Sequence, residues 1–208
     1  RSAMKSPPLA SAARIVEAAR ADGRFVVAYA GGHAPNHDLD TLIDAAEMVR
    51  DERFCFILMG SGSAREALIR RAQAAGLEHV HFLERASRGV ALSTLSLADA
   101  VYVGIAEGSL YRYGIGLNKI YDAMFVGRPI VAAYTAGNDP VTDAECGMTS
   151  PAGDVEGVAA ALRALARMET SSREAMGLRG HRFVLQNHDY RRLAARFLEE
   201  IEVARAAM

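Results

Sequence analysis

The chain has 208 residues, half of them hydrophobic, with 24 basic and 25 acidic side chains. This length supports one packed core, which excludes a small disulfide scaffold, and the balanced charge argues against a nucleic-acid footprint or a membrane-surface patch. No apolar run approaches the roughly 20 residues that a membrane-crossing helix needs, and the first ten residues lack the apolar core of a secretion signal.

Short apolar runs alternate with helical patterns along the chain. We predict helices at residues 9–21, 39–51, 64–75, 89–97, 119–126, 155–168, 172–187 and 190–206. The predicted strands are 25–30, 54–60, 79–84, 100–105, 129–134 and a weaker sixth at 147–150. Strand-helix-strand repeats predict an α/β fold: a doubly wound, Rossmann-like parallel sheet of about six strands, with helices on both faces and extra C-terminal helices.

The same pattern predicts the organisation of the chain. Residues 1–23 are interpreted as a linker and an N-terminal helix, with a cloning scar at 1–4. Residues 24–189 form the Rossmann-like domain, and residues 190–208 form a C-terminal helix.

Glycine-rich loops follow three of the predicted strands, on the side of the sheet where such folds bind ligands. The residues concerned are Gly31, Gly32 and His33 after the first strand, Gly60 and Gly62 after the second, and the loop 111–119 after the fourth. All three loops are expected to open on one rim. The alternative for Gly31 and Gly32 is a tight turn with no ligand.

The loop 111–119 is the most informative segment. Gly114 and Gly116 permit a sharp turn before a helix that begins near Leu117, and free amides at a helix start attract phosphate. Asp122 then places a carboxylate beside the amides, where it can accept two ribose hydroxyls. Lys119 lies in the first turn and opposes the helix dipole, which a bound anion would offset. Solvent exposure of Asp122 and Lys119 remains the alternative.

Other ligand classes have weaker support. A nicotinamide site needs GxGxxG after the first strand and an acidic residue at the end of the second, where the chain has Met59 and Gly60. A phosphoacceptor receiver needs acidic residues at the end of the first strand, which has Ala30 and Gly31. Neither class fits the sequence.

Metal binding is not expected. His33, His37 and His79 lie on separate elements, and Cys55 and Cys146 are far apart, so we interpret both cysteines as reduced thiols of a cytoplasmic protein. The DxD pattern of Asp38 and Asp40 directly precedes an amphipathic helix. Asp38 is therefore interpreted as a helix N-cap.

The segment NKIYDAMFVGRPIVAA at residues 118–133 resembles the signature of the glycosyltransferase group 1 family, the retaining, nucleotide-sugar-dependent enzymes of two-domain, B-type architecture. Blocks at 29–46, 57–87 and 98–105 follow the family's order, so the resemblance covers about residues 24–200. YRYG before NK, and AGNDPV after it, look most like bacterial transferases of lipopolysaccharide and other surface polysaccharides.

The resemblance implies that residues 24–189 are the nucleotide-sugar-binding domain and that the N-terminal acceptor domain is absent from this chain. It places Asp122 on the ribose, Gly32 and His33 on the phosphates, and the backbone of Arg85 and Ala86 on the base. The predicted donor site comprises Gly31, Gly32, His33, Gly60, Gly62, Arg85, Ala86, Gly116, Leu117, Asn118, Lys119 and Asp122.

The chain departs from the family pattern at three positions. Gly114 replaces a glutamate that usually approaches the donor sugar, and Gly32 and His37 replace the Arg and Lys that brace the diphosphate. We expect His33, Lys119 or Arg112 to compensate as diphosphate stabilisers, while no catalytic residue is identified.

The implied reaction is transfer of a hexosyl or N-acetylaminosugar group from a nucleoside-diphosphate sugar to an acceptor hydroxyl, without a metal or other cofactor. UDP is favoured because uridine is the family's commoner base. The expected acceptor is a saccharide or lipid-linked molecule rather than nucleic acid, and the full-length enzyme is expected to be cytoplasmic and peripheral to the inner face of the membrane. A sugar-nucleotide epimerase of the same architecture and a non-catalytic nucleotide-binding or scaffolding module remain alternatives.

Overall fold

The computed structural model describes residues 6–188 and 190–206. The helices are α1 (Ala10–Ala21), α2 (Leu39–Met48), α3 (Arg65–Ala74), α4 (Arg88–Leu95), α5 (Asn118–Phe125), α6 (Pro140–Asp143), α7 (Val155–Arg167), α8 (Thr170–Asn187) and α9 (Tyr190–Ala206). The strands are β1 (Phe25–Gly32), β2 (Phe54–Ser61), β3 (Val80–Leu83), β4 (Ala100–Gly104), β5 (Ile130–Ala133) and β6 (Gly147–Ser150).

The strands form one six-stranded sheet in the order β3-β2-β1-β4-β5-β6, and every pair is parallel. The predicted α/β fold with a doubly wound sheet and extra C-terminal helices is therefore confirmed. The chain runs outwards from β1 to β3 and then returns to add β4 beside β1. This change of direction leaves a crevice outside the carboxyl ends of β1 and β4, which is where such sheets bind ligands.

Alternate residues of each central strand enter two separate cores. Val27 and Phe56 pack with α2 and α7 on one face, whereas Val26, Cys55 and Ile57 pack with α4 and α5 on the other. Burial of both faces explains why these strands are continuous apolar runs in the sequence. The sheet is thus held rigid behind the crevice.

The ends of β1 and β2 extend beyond the predicted strands, and this affects the site. Gly31 and Gly32 lie in β1, paired with Gly60 and Ser61 of β2, rather than in a loop. The ladder continues because these residues have little or no side chain to separate the strands: a Cβ on Gly60 would lie 1.8 Å from the Gly31 carbonyl oxygen. The loop after β1 therefore begins at His33.

Asp38 precedes α2 as predicted, but its carboxylate does not cap that helix. It accepts hydrogen bonds from the Thr41 hydroxyl at 2.8 Å and from the Gly153 amide at 3.1 Å. The backbone of Asp38 is left-handed, with φ 48°, which directs the carboxylate away from the helix amides. Asp154 does cap α7, through the Gly157 amide at 2.9 Å.

Within the described ranges, none of the helices combines the length and the apolar character needed to span a membrane.

Candidate functional site

A cavity of about 420 Å³ opens at the carboxyl ends of β1, β2 and β4. Its volume lies in the range of small-molecule sites, and its position is the crevice that the strand order creates. Seven of the predicted site residues line it: Gly31, Gly32, Gly60, Arg85, Ala86, Lys119 and Asp122. The remaining wall comes mainly from α4 and from the buried residues of β4.

Backbone forms the edge of the cavity between β1 and β2. Gly31 and Gly60 are paired across the two strands, and neither leaves room for a side chain. A ligand at this edge meets peptide groups rather than mobile side chains. Such close approach of backbone to ligand is a common use of glycine.

Lys119 extends from the first turn of α5 across the cavity to β1. Its ammonium nitrogen donates to the hydroxyl of Tyr29 at 2.9 Å, and that hydroxyl donates to the carbonyl of Gly32 at 2.6 Å. Burial lowers the pKa of Lys119 to about 8. Among the described residues, no carboxylate forms an ion pair with Lys119. A partly buried cation without an acidic partner favours binding of an anion.

Asp122 lies one turn further along α5 and also faces the cavity. Its carboxylate forms an ion pair with Arg88 of α4, with Nη2 and Oδ1 2.5 Å apart. The aspartate side chain is 23% exposed and the arginine side chain is 69% exposed. Since an exposed pair of this kind contributes only about 0–1 kcal/mol, a ligand hydroxyl can share or replace the guanidinium.

The start of α5 offers unpaired amides beside these side chains. Within residues 6–188, the N–H groups of Leu117, Asn118 and Lys119 have no hydrogen-bond acceptor in the protein. Gly116, Leu117 and Asn118 do not line the cavity but lie just outside it, at the beginning of the helix that carries Lys119. An anion near Lys119 would be within the field of this helix terminus.

The two glycines of this loop differ. Gly114 has φ 123°, a conformation that favours glycine, and a Cβ there would lie 3.3 Å from Oδ1 of Asn138. Gly114, where the resemblance implies a glutamate, thus has a backbone conformation that a glutamate would strain. Gly116 is not in the left-handed region and has open space around it, so the expected turn depends on Gly114 alone.

Asn138 is bonded to the backbone of loop 111–119 and is not among the site residues predicted from the sequence. Its side chain accepts from the Ile115 amide at 2.6 Å and donates to the Ile115 carbonyl at 3.2 Å. The adjacent Gly137 amide donates to the Tyr111 carbonyl at 2.9 Å. The only sequence signal was the AGNDPV block, whose Asn and Gly are typical turn residues.

His33 does not reach the cavity. Its side chain is fully buried, contacts with Tyr29 and Phe82 surround it, and both ring nitrogens lack a hydrogen-bond partner among the described residues. Burial, followed by the nearby Arg65, lowers the pKa of His33 to about 4. In this structure His33 is neutral at physiological pH, so the expectation that it supplies a cation to the diphosphate is not supported by its geometry.

Two further residues support the backbone around His33. Gly62 passes so close that a Cβ would lie 2.3 Å from the His33 carbonyl oxygen, which gives Gly62 a packing role outside the cavity. Nδ1 of His37 lies 2.6 Å from the Gly32 carbonyl oxygen. Burial and the nearby Lys119 lower the pKa of His37, so it also carries no permanent charge.

Arg112 is occupied elsewhere. Its guanidinium stacks on the ring of Tyr113 with 4.6 Å between the group and the ring centroid. Of the three residues expected to compensate for the missing cations, only Lys119 therefore lines the cavity. Among the residues that the structure describes, no group of three or more His, Cys, Asp or Glu side chains is arranged to hold a metal ion.

Comparison with known proteins gives the family. The model of the family described as "Glycosyl transferases group 1" matches residues 24–168. The curated protein "Putative colanic acid biosynthesis glycosyl transferase WcaI" of Escherichia coli (strain K12) is 28% identical over 88 residues, which cover 42% of this chain and 22% of that protein.

Two solved structures show the same fold. HepE of Anabaena, crystallised with UDP and glucose, aligns with a TM-score of 0.70 at 19% identity over 91% of this chain and 52% of its own. The C-terminal domain of the group 1 glycosyl transferase LpcC from Francisella tularensis aligns with a TM-score of 0.66 at 15% identity over 88% of this chain and 96% of that domain. The chain thus spans about half the length of HepE and about a fifth of WcaI.

Proposed function

The chain belongs to the glycosyl transferases of group 1, and on that premise we propose that it is the domain that binds the nucleoside-diphosphate sugar in such an enzyme. The proposed reaction breaks the bond between the sugar and the diphosphate and joins the sugar to an acceptor hydroxyl. The acceptor-binding half of the enzyme would be a separate domain. Residues 24–189 are the proposed donor-binding unit.

The single observation that carries the proposal is the pair of Lys119 and Asp122 on one face of α5. Side chains three residues apart on a helix are neighbours, about 5–6 Å apart at Cβ, and both line the same cavity. One is a cation that has no carboxylate partner among the described residues, and the other is a carboxylate. A nucleoside diphosphate presents the matching groups, an anionic diphosphate and a pair of ribose hydroxyls, a few bonds apart.

Lys119 and the free amides of Asn118 and its neighbours would bind the diphosphate. The same groups would stabilise the negative charge that develops on the leaving nucleotide. Backbone at Gly31 and Gly32 would bound the phosphate region. Asp122 would accept hydrogen bonds from the ribose, and Arg85 and Ala86, on the loop before α4, would border the base.

We further propose that the donor is a UDP-sugar and that the acceptor is a saccharide or lipid-linked molecule of a surface polysaccharide. The structural relative HepE was crystallised with UDP and glucose, and the matching curated protein is named for colanic acid biosynthesis. Both observations support these assignments by likeness. Cytoplasmic location, with the whole enzyme at the inner face of the membrane, would bring the donor and such an acceptor together.

Calorimetry with UDP, GDP, ADP and uridine tests the proposal. We expect UDP to bind and Asp122→Asn to weaken it by about 1–3 kcal/mol, the effect of removing a hydrogen-bonded charge. Asp44→Asn is the matched control, because Asp44 is also a helical carboxylate paired with an arginine, is 31% exposed, and does not line the cavity.

Equal UDP affinity in Asp122→Asn and the wild type would refute the ribose contact, and no nucleotide binding at all would refute the proposed function. The epimerase alternative predicts an isomerised sugar nucleotide when the complete enzyme is incubated with donor alone. Product analysis therefore separates it from a transferase.

A further inference from the structure

The hydroxyl of Tyr29 links Lys119, which lines the cavity, to the backbone of β1. It accepts from the Lys119 ammonium at 2.9 Å and donates to the Gly32 carbonyl at 2.6 Å. We propose that Tyr29 is a positioning residue for diphosphate recognition, which fixes the Lys119 ammonium at the crevice without neutralising its charge. This inference rests on the proposed function and adds to it a residue that does not itself touch the ligand.

The donor and acceptor roles of Lys119, Tyr29 and Gly32 are fixed by their chemistry. A protonated lysine can only donate, and a backbone carbonyl can only accept, so the hydroxyl between them must donate to Gly32 and accept from Lys119. The Gly32 carbonyl therefore sets the direction of the hydroxyl, and the hydroxyl sets the position of the ammonium. Because Tyr29 is 1% exposed, its ring cannot turn away.

The Tyr29 hydroxyl holds Lys119 and leaves its charge intact. An aspartate or glutamate in the position of the hydroxyl would hold Lys119 equally well but would cancel its charge. Burial raises the pKa of Tyr29 above its usual value, so the phenol stays neutral. The face of its ring adds an attraction that also leaves the cation intact, with Nζ 5.1 Å from the ring centroid. The full charge remains available to an anion.

Gly31 leaves space for the contact between Tyr29 and Lys119. A Cβ on Gly31 would lie 2.7 Å from the Tyr29 hydroxyl and 2.9 Å from Cε of Lys119. The glycine thus provides the gap in which the lysine stem reaches the tyrosine. A lysine side chain has several rotatable bonds. Without this contact they would be free, and the side chain would lose more conformational entropy when it binds a phosphate.

A double-mutant cycle tests the assignment. We expect Tyr29→Phe to weaken UDP binding about three- to tenfold, the range for one hydrogen bond, and to leave uridine binding unchanged. Lys119→Met should weaken UDP binding about ten- to a hundredfold. Tyr29→Phe should then have no further effect in the Lys119→Met background, because Tyr29 acts through Lys119.

Tyr134→Phe is the matched control. Tyr134 is also a buried tyrosine with a hydroxyl bonded inside the protein, to Asp139 at 2.6 Å, and it does not line the cavity. Its variant should leave UDP affinity unchanged. Gly31→Ala provides a second route that removes neither partner: it crowds both side chains and should weaken UDP binding more than uridine binding.

Equal losses of UDP affinity from Tyr29→Phe with and without Lys119, or equal losses for UDP and uridine, would overturn the positioning role. Unchanged UDP affinity in both Tyr29→Phe and Gly31→Ala would overturn it as well. In each case binding of UDP by the wild type would leave the proposed function standing. Absence of binding of UDP, GDP and ADP by the wild type would overturn both.

Discussion

If Lys119 binds the diphosphate as proposed, UDP affinity should depend on pH in the alkaline range. With a pKa of about 8 in the free protein, about nine tenths of the ammonium is protonated at pH 7 and about one tenth at pH 9. A diphosphate binds the protonated form, whereas the terminal phosphate of UDP is already ionised above a pKa of about 6. The dissociation constant of UDP should therefore rise about tenfold from pH 7 to pH 9.

The other titratable groups around Lys119 should not contribute in this interval. The pKa values of His33 and His37 are lowered, and that of Tyr29 is raised. Each of these pKa values is therefore shifted away from the interval between pH 7 and pH 9.

The contribution of Lys119 to folding stability should increase with pH, whereas UDP affinity should decrease. The folded-state pKa of Lys119 is lower than the value of an unfolded chain, so the unfolded protein binds more protons between these two values. The contribution of Lys119 to the free energy of unfolding therefore increases as pH rises above 8. Denaturant unfolding of the ligand-free protein, with Lys119→Met for subtraction, measures this contribution.

Calorimetry from pH 7 to pH 9 measures the affinity, with uridine to correct for changes in the nucleoside. Lys119→Met should remove the pH dependence that is specific to UDP. A flat profile for the wild type, or the same slope in the variant, would refute the assignment of Lys119 to the diphosphate.

Two other substitutions test the backbone contacts that support the cavity and the neighbouring loop 111–119. Asn138→Ala should lower the free energy of unfolding by about 1–3 kcal/mol, because it leaves the buried amide of Ile115 without its acceptor. Urea unfolding should show this loss, and faster hydrogen exchange at the Ile115 amide should locate it. Unchanged exchange at Ile115 would contradict the role of Asn138 in holding the loop. Gly60→Ala should destabilise the fold by more than about 4 kcal/mol, because the new methyl group would overlap the Gly31 carbonyl. A melting temperature equal to that of the wild type would contradict this expectation and would show that β1 and β2 can separate at this point.

Much of the fold could be predicted from the sequence because each central strand is buried on both faces and is therefore a continuous apolar run. The helix ends were less accurate: α2 ends at Met48, whereas its pattern continues to Asp51. The short α6 was not predicted, since its four residues, which begin with Pro140, are too few to show a helical period. Gly31 and Gly32 were assigned to a loop because glycine usually interrupts strands.

The site was only partly predictable, for a physical reason. Spacing along α5 places Lys119 and Asp122 on one face, and this is a local property of a helix. Their partners are distant in sequence: Tyr29 precedes Lys119 by 90 residues, and Arg88 precedes Asp122 by 34. Tyr29 also lies within an apolar strand, where a tyrosine is ordinarily a core residue. Only the folded chain, in which the Lys119 side chain reaches Tyr29, shows that its hydroxyl faces a cation.

Where Gly31 pairs with Gly60, the wall of the cavity is backbone and has no side-chain rotamers. The shape of this wall should therefore stay the same when neighbouring side chains are substituted. Redesign of the opening for a different base or sugar can therefore concentrate on α4 and on the loop that precedes it. The backbone at Gly60 would serve as a fixed reference for such changes, and a substitution of Gly60 would impair folding before it altered selectivity.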